Sequence, residues 1–332
     1  MILLLGASGY IGRAFADELR RRGHSFVPLT REAFDYTRFD YLFDYLRTMK
    51  PKFLINAAGY SGKIEEDASE NAREQAMLAN SMLPQMIARA CLVTRTPWGH
   101  VSSGSIYSGC KITEGDSWRL ERDLTRADVI ELFESHPERF HGFTEMEEPN
   151  FSFRHQPCSF YSGTKALAEE AIRDIGFCYV WRARCAFDER DEPCNHLWQL
   201  RRQANPVNAI DSLTHLGDFA RVSVELWERE APFGIYNVAN PGAVTTRRIV
   251  ELMGGRQAGS ESEAWKEEAI PAPDPAIPQS HCILDVSRVL CTGIRIRPIE
   301  EALAAAVGRK GTTSRRAKSV VMGTRQAPPT PA

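Results

Sequence analysis

The N-terminus constrains this chain most. Ile2-Leu3-Leu4-Leu5 is an all-apolar run, followed by Gly6-Ala7-Ser8-Gly9-Tyr10-Ile11-Gly12 and then by a helical stretch from Arg13 to Arg20. A short strand that is apolar at every position belongs inside a parallel sheet, buried on both faces. The glycines that follow it have separate jobs. Gly6 permits a tight turn, Gly9 lets the backbone approach a pyrophosphate, and Gly12 lets the helix sit close to the strand. The helix N-terminus then faces the anion. Ser8, Tyr10 and Ile11 lie between these glycines and are placed with them at a dinucleotide.

The strand–helix alternation continues. Apolar strands are expected at 25–29, 53–59, 98–107, 178–184 and 233–238, with helices at 36–49 and about 70–91. The fold class is therefore α/β: a Rossmann-type, doubly wound, mainly parallel sheet of seven strands with a small C-terminal substrate-binding lobe. At 332 residues and 43% hydrophobic content the chain is long enough for both parts. The nucleotide domain is expected at 1–186 with 213–240, and the lobe at 187–212 and 241–308. A surface loop is expected at 258–278, and a disordered basic, Pro-rich tail at 309–332.

Charge and cysteines narrow the classes. A net charge of -2 provides no field for nucleic acid or a membrane surface. No apolar run approaches the ~20 residues of a membrane span, and Met1 leads straight into a strand, so no signal peptide is expected. Eight cysteines without a C-x-x-C pair suit reduced thiols in the cytoplasm.

The second strand ends in Thr30-Arg31, where such folds place an acid against the ribose hydroxyl. A cation there, with Arg13, suits a 2′-phosphate, which favours NADP(H); Glu32 keeps NAD(H) open. Asp35 caps the next helix or faces the adenine. Asn56-Ala57-Ala58-Gly59 ends the third strand in small residues that leave room for a ligand. Asn80 sits inside a helix, where asparagine is a weak former.

Cys158-Ser159-Phe160-Tyr161-Ser162-Gly163-Thr164-Lys165 carries the chemistry. Tyr161 and Lys165 are one helical turn apart on one face. A nearby ammonium favours a phenolate and brings the tyrosine toward its working pH. Upstream, Ser102-Ser103-Gly104-Ser105 ends a central strand, where hydroxyls can bond a substrate oxygen.

These residues resemble the extended short-chain dehydrogenase/reductase family. Asn56–Gly59, Gly142-Phe143-Thr144-Glu145, Ser159–Lys165, Asn240-Pro241-Gly242 and Leu284-Asp285-Val286-Ser287 resemble its nucleotide-sugar 4-reductases. That branch contains dTDP-4-dehydrorhamnose reductase and the bifunctional 3,5-epimerase/4-reductase. The resemblance implies NADPH-dependent reduction of a nucleotide-linked 4-keto-6-deoxy-sugar. Tyr161 would be the general acid, Lys165 its partner and ribose anchor, Ser103 the carbonyl donor, and Asn80 the holder of a relay water. Gly104, Ser105, Asn195, Arg201, Asn208 and Ser212 would line the substrate site. Arg202 and Arg247 join Arg201 as cations for the diphosphate. A homodimer is admitted by the resemblance, not specified by it.

Two positions depart from the epimerising relatives, which carry Cys and Lys where this chain has Ser105 and Gln199. A hydroxyl with no base beside it is a far weaker acid than a thiol, so the reductase set is expected without its own epimerase. The alternatives are an NAD-dependent nucleotide-sugar epimerase or dehydratase, and a non-catalytic NADP-binding regulatory subunit like that of methionine adenosyltransferase.

Overall fold

The structure, a computed structural model, describes residues 1–60, 70–203, 205–254 and 278–308. Six strands form its main sheet: β1 (Ile2–Leu5), β2 (Phe26–Leu29), β3 (Phe53–Asn56), β4 (Trp98–Ser103), β5 (Cys178–Ala183) and β6 (Gly234–Asn237). Their order is β6-β5-β4-β3-β1-β2, and every neighbouring pair is parallel. Seven strands were expected. After β6 the chain turns at Pro241-Gly242, and among the described residues no seventh strand joins the sheet.

The strand order reverses between β1 and β3, so a crevice opens beyond their carboxyl ends. Leu5 stands level with Leu29 and Asn56, which brings the glycine turn and Ala57–Gly59 to that crevice together. Period-two alternation divides the strand side chains between two cores. Ile2 and Leu4 pack with Phe15, Phe53, Trp181 and Phe219. Leu3 and Leu5 pack with Leu42, Leu46, Leu54, Ile87 and Val180 on the other face. Each fully buried Leu or Ile side chain contributes about 1.5–3 kcal/mol.

Some boundaries moved for local reasons. The second helix is Phe39–Met49 rather than starting at residue 36. Asp35 Oδ1 accepts from the Thr37 backbone N–H (3.2 Å) and hydroxyl (2.5 Å), and this turn delays the helix. The next helical run, Asn71–Thr94, is long and apolar enough by composition to cross a membrane, contrary to the sequence expectation. Half of its most apolar window is buried within the protein, with Ile87 and Cys91 in the core. It contains a π-helical turn at Leu78–Met82, with Asn80 inside it.

A further core joins Phe187, Leu197, Leu200, Val244, Ile249, Ile299 and Leu303, all from the C-terminal half of the chain. The charged stretch after Ser108 folds as a three-stranded antiparallel patch (Cys110–Glu114, Ser117–Glu121, Phe140–His141) with a helix, Ala127–Ser135. Its apolar side packs on Ile210 and Ile283. The loop expected at 258–278 lies, through residue 277, outside the described residues, as does the whole tail from 309.

Candidate active site

The glycine turn is built as its spacing requires. Gly6 has φ 72°, and a Cβ there would lie 2.6 Å from the Ala58 Cα. A Cβ on Gly12 would lie 2.0 Å from the Gly6 carbonyl oxygen, so the helix Tyr10–Arg21 can approach only because both residues lack side chains. Its N-cap Gly9 makes no side-chain capping bond, and no acid sits in the first turn. Helix-start N–H groups without a capping side chain suit a pyrophosphate, so these residues fit a dinucleotide.

The flanking contacts were not legible in the sequence. Tyr10 Oη donates to Asp188 (2.8 Å), and the Arg190 guanidinium lies 5.0 Å from the Tyr10 ring centroid. Arg13 donates to the Ser8 carbonyl (2.6 Å) and pairs with Glu192. Arg13 is therefore engaged rather than waiting for a phosphate. Arg31 is exposed at the end of β2 and forms no ion pair with a described residue. Asn56 is fully buried: Oδ1 accepts from Ala58 N (3.1 Å) and Nδ2 lies 3.1 Å from His100 Nδ1. That amide shapes the turn after β3.

Tyr161 and Lys165 occupy the helix Phe160–Ile172, whose N-cap Ser159 accepts from Ser162 N (3.1 Å). Tyr161 is half-buried in the first turn, and the Lys165 ammonium lies 6.0 Å from its ring centroid. Lys165 is only 5% exposed, and Nζ donates to the Val101 carbonyl (3.2 Å) on β4. Burial brings its pKa down to about 8, with the Glu169 carboxylate pulling the other way. A Cβ on Gly59 would meet Lys165 Nζ at 3.4 Å and Asn80 Oδ1 at 3.2 Å, so the three residues converge. The Asn80 amide is held by the Tyr60 backbone, accepting from N and donating to O at 2.8 Å each. It is a clamp between segments, and Nδ2 also lies 3.4 Å from Thr164 Oγ1. A π-turn at such a place is a frequent mark of function.

The serines at the end of β4 are oriented by fixed donors. Ser103 Oγ accepts from Ser105 N (3.1 Å), and Ser105 Oγ accepts from Arg184 Nη1 (2.9 Å). A hydroxyl that accepts one such bond keeps its proton for donation. Arg184 is itself buried and paired through Nε (2.9 Å) and Nη2 (2.7 Å) with Asp211. His281 Nδ1 lies 2.7 Å from the other Asp211 oxygen. Burial pushes the nearby His196 imidazole down to about 4.

Several expected substrate contacts are bonded within the protein. Asn195 is fully buried, caps the helix His196–Arg202 and donates to the Asp188 and Arg190 carbonyls. Ser212 is fully buried, and its Oγ accepts from Leu284 N. Gly104 is buried under Leu284, which a Cβ would meet at 2.6 Å. Asn208 Oδ1 accepts from Arg247 N (2.9 Å), and Arg247 pairs with Glu134. Arg201 keeps a role open: its side chain is 20% exposed, 4.0 Å from Asp191, and burial lowers its pKa. Sequence reasoning missed Glu169 and Arg182, although a cation inside the buried run Cys178-Tyr179-Val180-Trp181-Arg182-Ala183 was a signal.

The RmlD substrate binding domain family matches residues 1–124. The bifunctional dTDP-4-dehydrorhamnose 3,5-epimerase/dTDP-4-dehydrorhamnose reductase of Arabidopsis thaliana is 25% identical over 307 residues, covering 91% of this chain and 90% of that protein. The chain is similar to the dTDP-4-dehydrorhamnose reductases. The trifunctional UDP-rhamnose enzymes of the same plant are 25–28% identical, and the chain spans only 27–33% of their length. Among solved structures, the UDP-rhamnose synthase of Acanthamoeba polyphaga mimivirus has TM-score 0.70 at 17% identity, covering 92% of this chain and 98% of that one. The dTDP-4-dehydrorhamnose reductase of Bacillus anthracis in complex with NADP has TM-score 0.63 at 15% identity, covering 93% and 97%. At these identities the structural likeness establishes the fold.

Proposed function

We propose that this chain reduces a nucleotide-linked 4-keto-6-deoxy-sugar with NADPH, working in the cytoplasm. The observation that carries the reading is the buried Lys165 ammonium, one turn from Tyr161 and beside Gly59 at the carboxyl edge of the sheet. All eight cysteines are free, which suits a reducing compartment. The relatives' names and the exposed Arg31 support the sugar class and the NADP(H) form.

When bound, the dinucleotide supplies the hydride. The protein's part is to place the keto oxygen and stabilise the charge that appears on it. Ser103 donates to that oxygen because its acceptor side is taken by the Ser105 N–H. Tyr161 hands its proton to the same oxygen as the alkoxide forms, and Lys165 stabilises the phenolate left behind. Ser105 does not remove a carbon-bound proton: a serine hydroxyl needs a base to take its own, and among the described residues its Oγ is bonded by the Arg184 guanidinium and by no carboxylate or imidazole.

The test is NADPH oxidation with dTDP- and UDP-4-keto-6-deoxyglucose, with and without a separate 3,5-epimerase. Turnover is expected only with the epimerase present. Turnover in its absence would remove the claim that Ser105 lacks epimerase chemistry, and none in either case would remove the reductase reading.

A further inference from the structure

Behind Lys165 lies a charged cluster that the reaction above does not use. Glu169 follows Lys165 by four residues on the same helix face, and it is 2% exposed. Its carboxylate accepts from Arg182 Nε (3.0 Å to each oxygen), from Arg182 Nη2 (2.6 Å) and from Ser102 Oγ (2.5 Å). Arg182, on β5, is 1% exposed and also donates to Tyr107 Oη (3.1 Å) and Asn237 Oδ1 (3.5 Å).

These contacts have a register. Lys165 bonds the Val101 carbonyl and Glu169 bonds the Ser102 hydroxyl, so successive turns of the helix grip successive residues of β4. Two grips one turn apart fix both the rotation and the height of the helix that presents Tyr161. We propose that Glu169, Arg182 and Ser102 form a buried clamp that positions Lys165 against the end of β4 and sets the charge it carries.

The electrostatics have a definite sign. Lys165 faces Tyr161 and Glu169 on its own helix, and His100 on β4. His100 is fully buried, and burial together with the Lys165 charge holds it neutral. Around the clamp stand Tyr107, Cys178 and Glu145. Burial holds the Tyr107 phenol and the Cys178 thiol protonated and raises the Glu145 carboxyl. Glu169 is therefore the acid that keeps Lys165 an ammonium, and Arg182 limits its effect. A buried pair with one partner removed leaves an uncompensated charge. Losing Glu169 disfavours the Lys165 ammonium; losing Arg182 favours it.

The clamp acts on the reductase reading but is tested without it. Lysine side-chain NMR of the unliganded protein, with the Lys165 signal assigned by its loss in Lys165→Met, reads the titration directly. The expected midpoint is below the wild-type value of about 8 in Glu169→Gln and above it in Arg182→Met. Opposite displacements support the clamp; displacements in the same direction, or none, overturn it, since a merely structural pair has no reason to change sign. If a single variant does not fold, Glu169→Met with Arg182→Met removes both charges and keeps the volume, a change that buried pairs often tolerate. Lys165 should then titrate lower, and an unmoved or raised midpoint overturns the proposal. In enzyme that turns over keto sugar, the alkaline limb of kcat/KM should shift in the same order. Absence of turnover would remove the reductase reading and leave the lysine result standing.

Discussion

Gly12→Ala tests the architecture of the cofactor turn most sharply. The added Cβ would lie 2.0 Å from the Gly6 carbonyl oxygen and 2.9 Å from its carbon, both of them backbone atoms. A real Cβ does not come closer than 3.0 Å, so the helix start must retreat from the turn by about 1 Å (3.0 − 2.0). Overpacking of this kind costs about 1–3 kcal/mol, offset by about 1 kcal/mol of better helix propensity. The net loss is then up to about 2 kcal/mol, which lowers Tm by several degrees in a domain of this size. The pyrophosphate site suffers directly, since the helix N-terminus that faces the anion is what moves. Gly9→Ala is the control for stability alone: its Cβ would meet the same oxygen at 3.3 Å, which a shift of tenths of an ångström relieves, while the added methyl still crowds the pyrophosphate. Thermal unfolding and fluorescence titration with NADPH read the two effects. Gly12→Ala should unfold earlier and bind NADPH far more weakly. Wild-type Tm and wild-type affinity in that variant would refute the close helix–turn contact and the assignment of the dinucleotide to it.

Two further outcomes follow from the site. Tyr161→Phe keeps the ring and its packing but removes the proton; reduction should fall by about 10²–10⁴-fold with NADPH binding retained, and near-normal rates would take Tyr161 out of the mechanism. Stability should decline with acid. His100 is held well below the ordinary histidine value and His196 near 4. Below about pH 6.5 the unfolded chain therefore binds protons that the folded chain refuses, at about 1.4 kcal/mol per pH unit for each histidine. That stability is present above pH 6.5 and is lost as pH falls. Urea unfolding at pH 8, 6 and 5 checks it, and a flat profile would contradict the lowered pKa of both rings.

Much of the site could be read from the chain alone because its signals are local. The apolar run before Gly6, the glycine spacing and the four-residue step from Tyr161 to Lys165 each report on neighbours within two helical turns. Backbone geometry turns such spacings into placement. The sequence by itself determined the nucleotide fold, the order of its strands along the chain and the helix face that Tyr161 and Lys165 share.

Tertiary structure decided what each polar side chain is for. Asn56, Asn80, Asn195 and Ser212 look like ligand contacts in the sequence; folded, they bond backbone groups on their own or distant segments. Ser105 is a plain strand-end serine in the sequence; folded, its Oγ is held by Arg184, 79 residues on. Glu169 is an ordinary helix acid until β5 brings Arg182 under it. Buried polar groups must find partners, and which partners they find depends on segments that only the folded chain brings together.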